Sequence, residues 1–171
     1  MKKAPFTFIL SLLVLSFFCN GCKKQTQSSI QSLFSKGNWE LATVVVTVSV
    51  GTNRISEDTL NTTCNKKQIF SFKDDRTCTY TNFHCKDQPV AVGNWALSPD
   101  QLYLKSDIVC QDTFKLANGS TGSSKPFENA KIDVLGQYSM VLITGDIQNY
   151  SAAQRRTVRR FGFVRQKDAT Q

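Results

Sequence analysis

The sequence predicts an all-β protein: a small antiparallel β-barrel of eight or nine strands in meander order, preceded by a short N-terminal helical turn. Three observations support this fold class. Short runs alternate apolar with polar residues, which is the period of a strand with one buried face. Turn-forming Gly, Pro, Asn and Asp residues separate these runs. No run in the domain has the length and period of a long helix, and closure into a barrel removes the exposed edges of such a meander.

The N-terminal segment predicts export and a lipid anchor. Residues 1–21 begin with two lysines and continue in an apolar run of 13 residues, which is too short to span a membrane and typical of a signal peptide. The run ends in CNGC, and Gly21 before Cys22 resembles a bacterial lipobox, in which cleavage leaves a diacylated cysteine. Residues 22–32 are then the lipidated cysteine and a polar tether, and residues 33–171 the barrel domain. The alternative is an ordinary signal peptide with Cys22 in a disulfide.

The charge balance narrows the classes of partner. Removing residues 1–21 takes away two lysines and no acidic residue, so the net charge falls from +8 to +6. About 150 residues remain, which corresponds to one domain with a single core. Nucleic acid is not an expected partner of an exported chain without a nucleic-acid-binding motif.

The periplasmic face of the outer membrane is favoured over the cell surface, because no acidic run follows Cys22.

The first elements of the domain are a helical turn and a long strand. Residues 28–35 place their apolar side chains on one face of a helix. In a strand, odd-numbered and even-numbered residues face opposite sides. Trp39 and Leu41 are odd-numbered, whereas Val44, Val46, Val48 and Val50 are even-numbered. A strand keeps one face buried only while its phase is constant, so a β-bulge is predicted near Thr43.

Residues 68–81 predict a β-hairpin with two possible registers. One uses a two-residue loop at residues 74–75. The other uses a three-residue loop in which Arg76 adopts the left-handed conformation of a G1 bulge. The second register places two phenylalanines, Cys78 and Tyr80 on one face. It gives the better core, and we therefore expect it.

The same pattern predicts the remaining strands. Residues 90–97 change their apolar phase at Gly93, which indicates a second bulge. Residues 54–63 are expected to be a polar connection, and the Gly/Ser-rich residues 117–126 a loop. Further strands are predicted at residues 101–104, 108–116, 131–135, 138–143 and 158–164.

Four cysteines remain in the domain if Cys22 carries lipid. An even number in an exported chain predicts disulfides, and three connectivities are possible. We expect Cys64–Cys85, which would close the central hairpin and contribute about 3 kcal/mol, together with Cys78–Cys110. A zinc site is the competing interpretation. These cysteines form no CxxC pair and the chain has one histidine, so no metal and no cofactor is predicted.

Several glycine, tryptophan, cysteine and leucine positions follow each other in an order and spacing that one family shares. They are Gly37 and Trp39, then Cys64, Lys66 and Phe70, then Asp75, Thr77 and Cys85, then Gly93, Trp95 and Leu97, and finally Leu102 and Leu104. Over roughly residues 33–145 the chain thus resembles the lipocalin-like domain of bacterial envelope lipoproteins. It departs from that pattern at Lys67, where the family has Asp, at Arg76, where it has Gly, and in its extra cysteine pair. The resemblance implies a small antiparallel barrel and transfers no catalytic residue, because most members have no assigned activity.

The interior of the predicted barrel offers candidate ligand contacts. By strand parity and composition they are Trp39, Phe70, Phe72, Tyr80, Trp95, Leu102, Leu104, Met140 and Leu142. Such side chains line barrels that hold one small molecule. The alternative is that they fill the barrel as its core, because an eight-stranded interior is just wide enough for side chains. For Trp39 the core role is the expected one.

Basic residues near the C-terminus form the strongest charge feature. They are Arg155, Arg156, Arg159, Arg160, Arg165 and Lys167, with no acidic residue between them. An anionic partner would fit such a cluster, whether lipid headgroups, an envelope polysaccharide or an acidic protein. The alternative, which we favour, is a solvated strand face whose charge protects an edge. In lipocalins an arginine on the last strand packs over the tryptophan of the first strand, so the resemblance implies that one of these arginines packs over Trp39 instead of binding a partner.

No residue pattern predicts catalysis. His84 and Asp112 have no partner that the sequence identifies, and no serine lies in a G-x-S-x-G motif. The sequence therefore favours a non-enzymatic, lipid-anchored envelope protein that binds a small apolar or amphipathic ligand. The alternative function is an interaction protein whose filled barrel docks an anionic envelope partner through its basic C-terminal strand. One kind of interaction protein would be a barrel lipoprotein that inhibits lysozyme. Such an inhibitor would be expected to carry an acidic surface, because its target is cationic, and the net charge of +6 argues against this function.

Overall fold

The computed structural model describes residues 30–115, 121–147 and 152–167. The chain divides into two units, Met1–Leu33 and Phe34–Gln171. A short helix covers residues 30–35, which confirms the predicted helical turn. The predicted signal peptide, Cys22 and most of the predicted tether lie outside the described residues. Within the described ranges no helix is long and apolar enough to cross a membrane.

Eight antiparallel strands close into a barrel, which confirms the predicted fold class. The strands of the described residues are β1 (Asn38–Val50), β2 (Asn53–Leu60), β3 (Ile69–Phe72), β4 (Thr77–Thr81), β5 (Ala91–Leu97), β6 (Tyr103–Ser106), β7 (Cys110–Lys115), β8 (Thr121–Ser124), β9 (Ala130–Leu135), β10 (Ser139–Gly145) and β11 (Arg155–Arg165). Around the barrel the order is β1, β3, β4, β5, β6, β9, β10 and β11, and β11 pairs with β1 to close it. The strand β2 pairs with the distal part of β1, while β7 and β8 form a separate two-stranded sheet.

The long strand β1 contains the predicted bulge. Its pairing with β11 shifts register between Leu41 and Thr43, so Ala42 has no partner there. The bulge changes the phase of the strand, and Leu41 and Val44 are consequently both buried. The parity change in the sequence is thereby accommodated without exposing either apolar set.

The β3–β4 hairpin has the three-residue loop. Phe70 pairs with Tyr80, and Phe72 pairs with Cys78. Arg76 has φ = 72°, the left-handed conformation that a G1-type loop requires and that is uncommon for residues other than glycine. All four paired side chains are buried, so the register that gives the better core is confirmed.

Two stretches predicted as loops contain strands instead. Asn53–Leu60 forms β2, although seven of its eight residues are exposed. A strand without a buried face has no apolar alternation, and its charged side chains suit an edge. Thr121–Ser124 forms β8 against β7, and its small polar residues likewise carry no strand signal.

The bulge expected at Gly93 is absent from the β4–β5 pairing. That pairing runs without a register shift, and Val92 points outward with 68% of its surface exposed. The glycine has a different role. A Cβ at Gly93 would lie 2.4 Å from Asp107 Oδ1 and 2.9 Å from the Ile108 backbone nitrogen. A close approach of the chain between β6 and β7 therefore requires glycine at this position.

Candidate ligand-binding site

The inward-facing side chains change character along the strands that close the barrel. Near the start of β1 they form a layer of Leu41, Phe163 and Met140, which is followed along the strands by a layer of Val44, Phe161 and Leu142. The next layer consists of Val46, Arg159 and Thr144. We call the end of the barrel at the first layer the closed end, and the end at the third layer the open end. Bulky apolar side chains fill the closed end, and smaller or polar side chains leave space at the open end.

That space is a cavity of about 720 Å³, within the size range of small-molecule sites. It is lined by Leu41, Val44, Val46, Leu60, Asn61, Thr62, Gln68, Phe83, His84, Asp112, Ser124, Lys125, Pro126, Thr144, Gly145, Arg159 and Phe161. Its exposed members, such as Leu60, Asn61 and Lys125, show that it opens to solvent. The apolar side chains of the wall come from β1, β2, β11, Phe83 and Pro126, and the polar side chains come from β7, β8, β10, β11 and the connecting segments.

A disulfide connects two segments that border this cavity. Cys64 and Cys85 are bonded, with their Cα atoms 5.2 Å apart, as the sequence predicted. The buried side chain of Gln68 lies beside the bond, its Nε2 atom 3.5 Å and 3.7 Å from the two Sγ atoms. Its Oε1 accepts a hydrogen bond of 3.1 Å from the backbone N–H of His84. Gln68 and the disulfide together hold the segment that presents Phe83 and His84 to the cavity.

The backbone of that segment is unusual. Asn82, His84 and Cys85 all have φ between 55° and 59°, a left-handed conformation that is rare for residues with a side chain. Such conformations persist only where the surrounding contacts hold them, and they are frequent at binding sites. Here the contacts are the disulfide, Gln68 and the hydrogen bond from Asn82 Nδ2 to the Lys67 carbonyl oxygen.

The structure brings His84 and Asp112 together, a pair that the sequence did not reveal. His84 Nε2 lies 3.5 Å from Asp112 Oδ1. Partial burial lowers the pKa of His84, and the positive charges of Arg159 and Lys86 act in the same direction, while Asp112 opposes them. The imidazole is therefore neutral at neutral pH and contributes hydrogen-bonding atoms rather than a charge. Asp112 belongs to β7, so only the tertiary structure places it beside the 3-10 turn Phe83–Cys85.

Most of the predicted lining residues belong to the core instead. Seven of them are at most 3% exposed: Trp39, Phe70, Phe72, Tyr80, Leu104, Met140 and Leu142. None of these seven borders the cavity at the open end. Trp95 is also buried, and its indole N–H donates to the Lys73 carbonyl oxygen at 2.9 Å. Leu102 is 54% exposed because it precedes β6 and points away from the interior, so its prediction as a lining residue is wrong.

The C-terminal arginines do not converge on one surface. Arg165 lies 4.4 Å from the centre of the Trp39 ring and donates to the Lys36 carbonyl oxygen, as expected for one member of the cluster. Arg156 contacts Ser49 and Gly51 at the β1–β2 turn, and Arg160 forms an ion pair with Asp133 on β9. Arg155 is exposed at the start of β11. Arg159 alone of the five lines the cavity. Strand alternation turns Arg156 and Arg160 to the opposite side of the sheet, whereas Arg155 and Arg165 share the parity of Arg159 and lie at the two ends of β11.

Cys78 and Cys110 are buried free thiols, which corrects the predicted second disulfide. Cys78 Sγ lies 3.3 Å from Ser106 Oγ, and Cys110 begins the separate β7–β8 sheet. Burial raises the pKa of Cys78 to about 11 and that of Cys110 to about 12. Both are thus protonated at neutral pH and are poor nucleophiles.

Metal-ligating side chains are not grouped in the described parts of the chain, where no three His, Cys, Asp or Glu residues lie together. The cavity residues that the sequence did not single out fall into two classes. Val44, Val46 and Phe161 follow from strand parity once the bulge is placed. The contributions of Gln68, His84 and Asp112 depend on how connecting segments fold over the open end, and no local pattern indicates them.

No protein-family model matches this chain, and no curated protein matches it at a significant level.

Proposed function

We propose that this protein is a lipid-anchored lipoprotein of the bacterial cell envelope that binds a small amphipathic molecule at the open end of its barrel. The observation that carries the proposal is the cavity of about 720 Å³ bordered by both apolar and polar side chains. A barrel filled along its whole length would favour docking through the outer surface. Here the aromatic core occupies the closed end only.

The composition of the wall supports an amphipathic rather than a wholly apolar ligand. Val46 and Leu60 are the more accessible apolar residues of the wall, which also includes the buried Leu41, Val44 and Phe161. Transfer of an apolar group from water onto such a surface contributes roughly 25 cal/mol per Å² of buried area. Thr144 and the His84–Asp112 pair offer hydrogen-bonding atoms within the same wall. Polar groups of this kind orient a ligand whose affinity comes mainly from apolar contact.

The test is a fluorescence titration with N-phenyl-1-naphthylamine, a neutral dye whose emission increases in apolar surroundings. The protein is the chain from Lys23 onwards, which keeps the whole unit Phe34–Gln171, secreted through an oxidising periplasm. Val46→Trp is expected to place a large ring in the cavity beside Arg159 and to weaken dye binding at least tenfold. Val45→Trp is the matched control, since Val45 lies on the same strand and does not line the cavity. Equal binding by both variants and the unsubstituted protein would refute a ligand site in this cavity.

The anchoring part of the proposal has its own test. The full chain expressed in a bacterial host is expected to carry lipid at Cys22 and to fractionate with membranes. Cys22→Ala should release it into the soluble periplasmic fraction, and Cys64→Ala should not. Membrane association that persists in the Cys22 variant would contradict the anchor and leave the ligand site unaffected.

A further inference from the structure

We infer that the ligand carries an anionic head group and that Arg159 is the residue that binds it. This inference rests on the proposed function, because it specifies the chemistry of the same cavity. It follows from the position of one guanidinium group and from the contacts that its neighbours make.

Arg159 stands in the layer of the barrel wall that follows the two apolar layers, and it is exposed to solvent. It pairs with Val46 on β1 and with Thr144 on β10, and both of these residues also line the cavity. The next inward-facing residue toward the closed end is Phe161, which is 2% exposed. A ligand whose apolar part contacts Val46, which is more accessible than Phe161, would therefore lie beside Arg159.

Arg159 differs from Arg156, Arg160 and Arg165 in the contacts of its guanidinium group. Arg160 pairs with Asp133, Arg156 contacts the β1–β2 turn, and Arg165 packs on Trp39. Among the residues that the structure describes, no hydrogen bond or ion pair involves the Arg159 guanidinium. A guanidinium presents five N–H donors in a planar fork that matches carboxylate, sulfonate and phosphate oxygens. The one arginine that faces the cavity thus keeps this donor set available.

The other charges of the described wall favour an anion. Lys125 is exposed at the rim, with its Nζ 3.9 Å from Glu128 Oε1. Asp112 is the acidic residue among the described lining residues, and it faces His84 without forming an ion pair with Arg159. Lys86 donates to the carbonyl oxygen of Asp112, which adds a further positive charge beside it. With His84 neutral, the described wall carries a net positive charge, which attracts anionic ligands.

The experiment compares two dyes that differ in one group. 8-Anilino-1-naphthalenesulfonate has the ring system of N-phenyl-1-naphthylamine and an added sulfonate that stays charged across the useful pH range. Arg159→Gln is expected to weaken binding of the sulfonate dye about tenfold, as loss of a charge-assisted hydrogen bond does, and to leave the neutral dye unchanged. Arg160→Gln is the matched control, an adjacent arginine whose partner Asp133 does not line the cavity. Arg159→Lys keeps the charge and should retain most of the affinity for the sulfonate dye.

The outcomes separate this inference from the proposed function. If Arg159→Gln leaves both dyes unaffected or weakens both equally, while Val46→Trp weakens both at least tenfold, the cavity binds ligands and the anionic head group is refuted. If Arg160→Gln weakens the sulfonate dye as much as Arg159→Gln does, the effect is general charge and the inference is likewise refuted. If neither dye responds to Val46→Trp, the proposed function itself fails.

Discussion

At the closed end of the barrel, Phe34, Trp39 and Phe70 fill the space between the strands, whereas at the open end the same strands border a cavity of about 720 Å³. The aromatic rings of the closed end contact one another, with centroids 4.1 Å apart for Phe70 and Phe72 and 5.1 Å apart for Phe34 and Phe72. The open end has instead Val46 and Thr144 in the equivalent inward positions. Along β1 the inward-facing side chains are Trp39, Leu41, Val44 and Val46, so their size decreases from the filled core toward the cavity.

The largest expected effect comes from truncating a ring at the closed end. Phe70→Ala should lower the free energy of unfolding by about 3–5 kcal/mol, because it leaves a cavity among packed rings. Val46→Ala at the open end should cost about 1 kcal/mol, because it enlarges a space that already reaches solvent. Urea unfolding of both variants measures the two values. Similar costs at both positions would mean that the open end is packed as tightly as the closed end.

Removing the disulfide tests whether the open end depends on a covalent connection. The double variant Cys64→Ser, Cys85→Ser should lose about 3 kcal/mol of unfolding free energy and should bind the neutral dye more weakly, because Phe83 and Asn61 lie in the two segments that the bond joins. Unfolding and dye titration check the two parts. As a control, a reducing agent should bring the unsubstituted protein to the same values and leave the double variant unchanged.

Arg165 at the closed end and Arg159 at the open end should differ less in their effect on the free energy of unfolding. Arg165→Ala should lower the free energy of unfolding by about 1–2 kcal/mol, because it removes the contact with the Trp39 ring and the hydrogen bond to the Lys36 carbonyl oxygen. Arg159→Ala should change it by less than about 0.5 kcal/mol. Thermal unfolding of the pair measures the difference. A loss of stability in the Arg159 variant would assign that residue a structural role and weaken its assignment to a ligand.

The smallest expected effect has the opposite sign. The Tyr80 hydroxyl is buried and has no hydrogen-bond partner within the described part of the chain, and its ring lies 5.4 Å from Phe83 at the border of the cavity. Tyr80→Phe removes an unsatisfied polar group and should leave the free energy of unfolding unchanged or raise it by up to about 1 kcal/mol. Urea unfolding is the measurement. A loss of more than about 1 kcal/mol would show that the hydroxyl has a partner, such as a buried water molecule.

Strand parity predicted much of the closed end. The bulge near Thr43, the three-residue loop before Thr77, the Cys64–Cys85 disulfide and the contact between an arginine and Trp39 were all expected from the sequence and are present. The first three depend on local alternation, on turn geometry or on a cysteine separation of 21 residues, whereas the contact between the arginine and Trp39 was implied by the family resemblance. The predictions that failed are of another kind. Polar β2 has no buried face to reveal it, and the phase change at Gly93 reflects exposed valines rather than a bulge.

The sequence by itself determined that this chain forms a closed antiparallel barrel with an aromatic core, because the period of its apolar residues and the residues at its turns are local properties. It also identified the basic last strand, although it did not separate Arg159 from its neighbours. Only the tertiary structure decided which interior positions are filled and which border a cavity. It alone brought His84, Asp112 and Arg159 to one wall, because they come from a 3-10 turn, the β7–β8 sheet and β11, and the folding of connecting segments over the barrel has no local pattern.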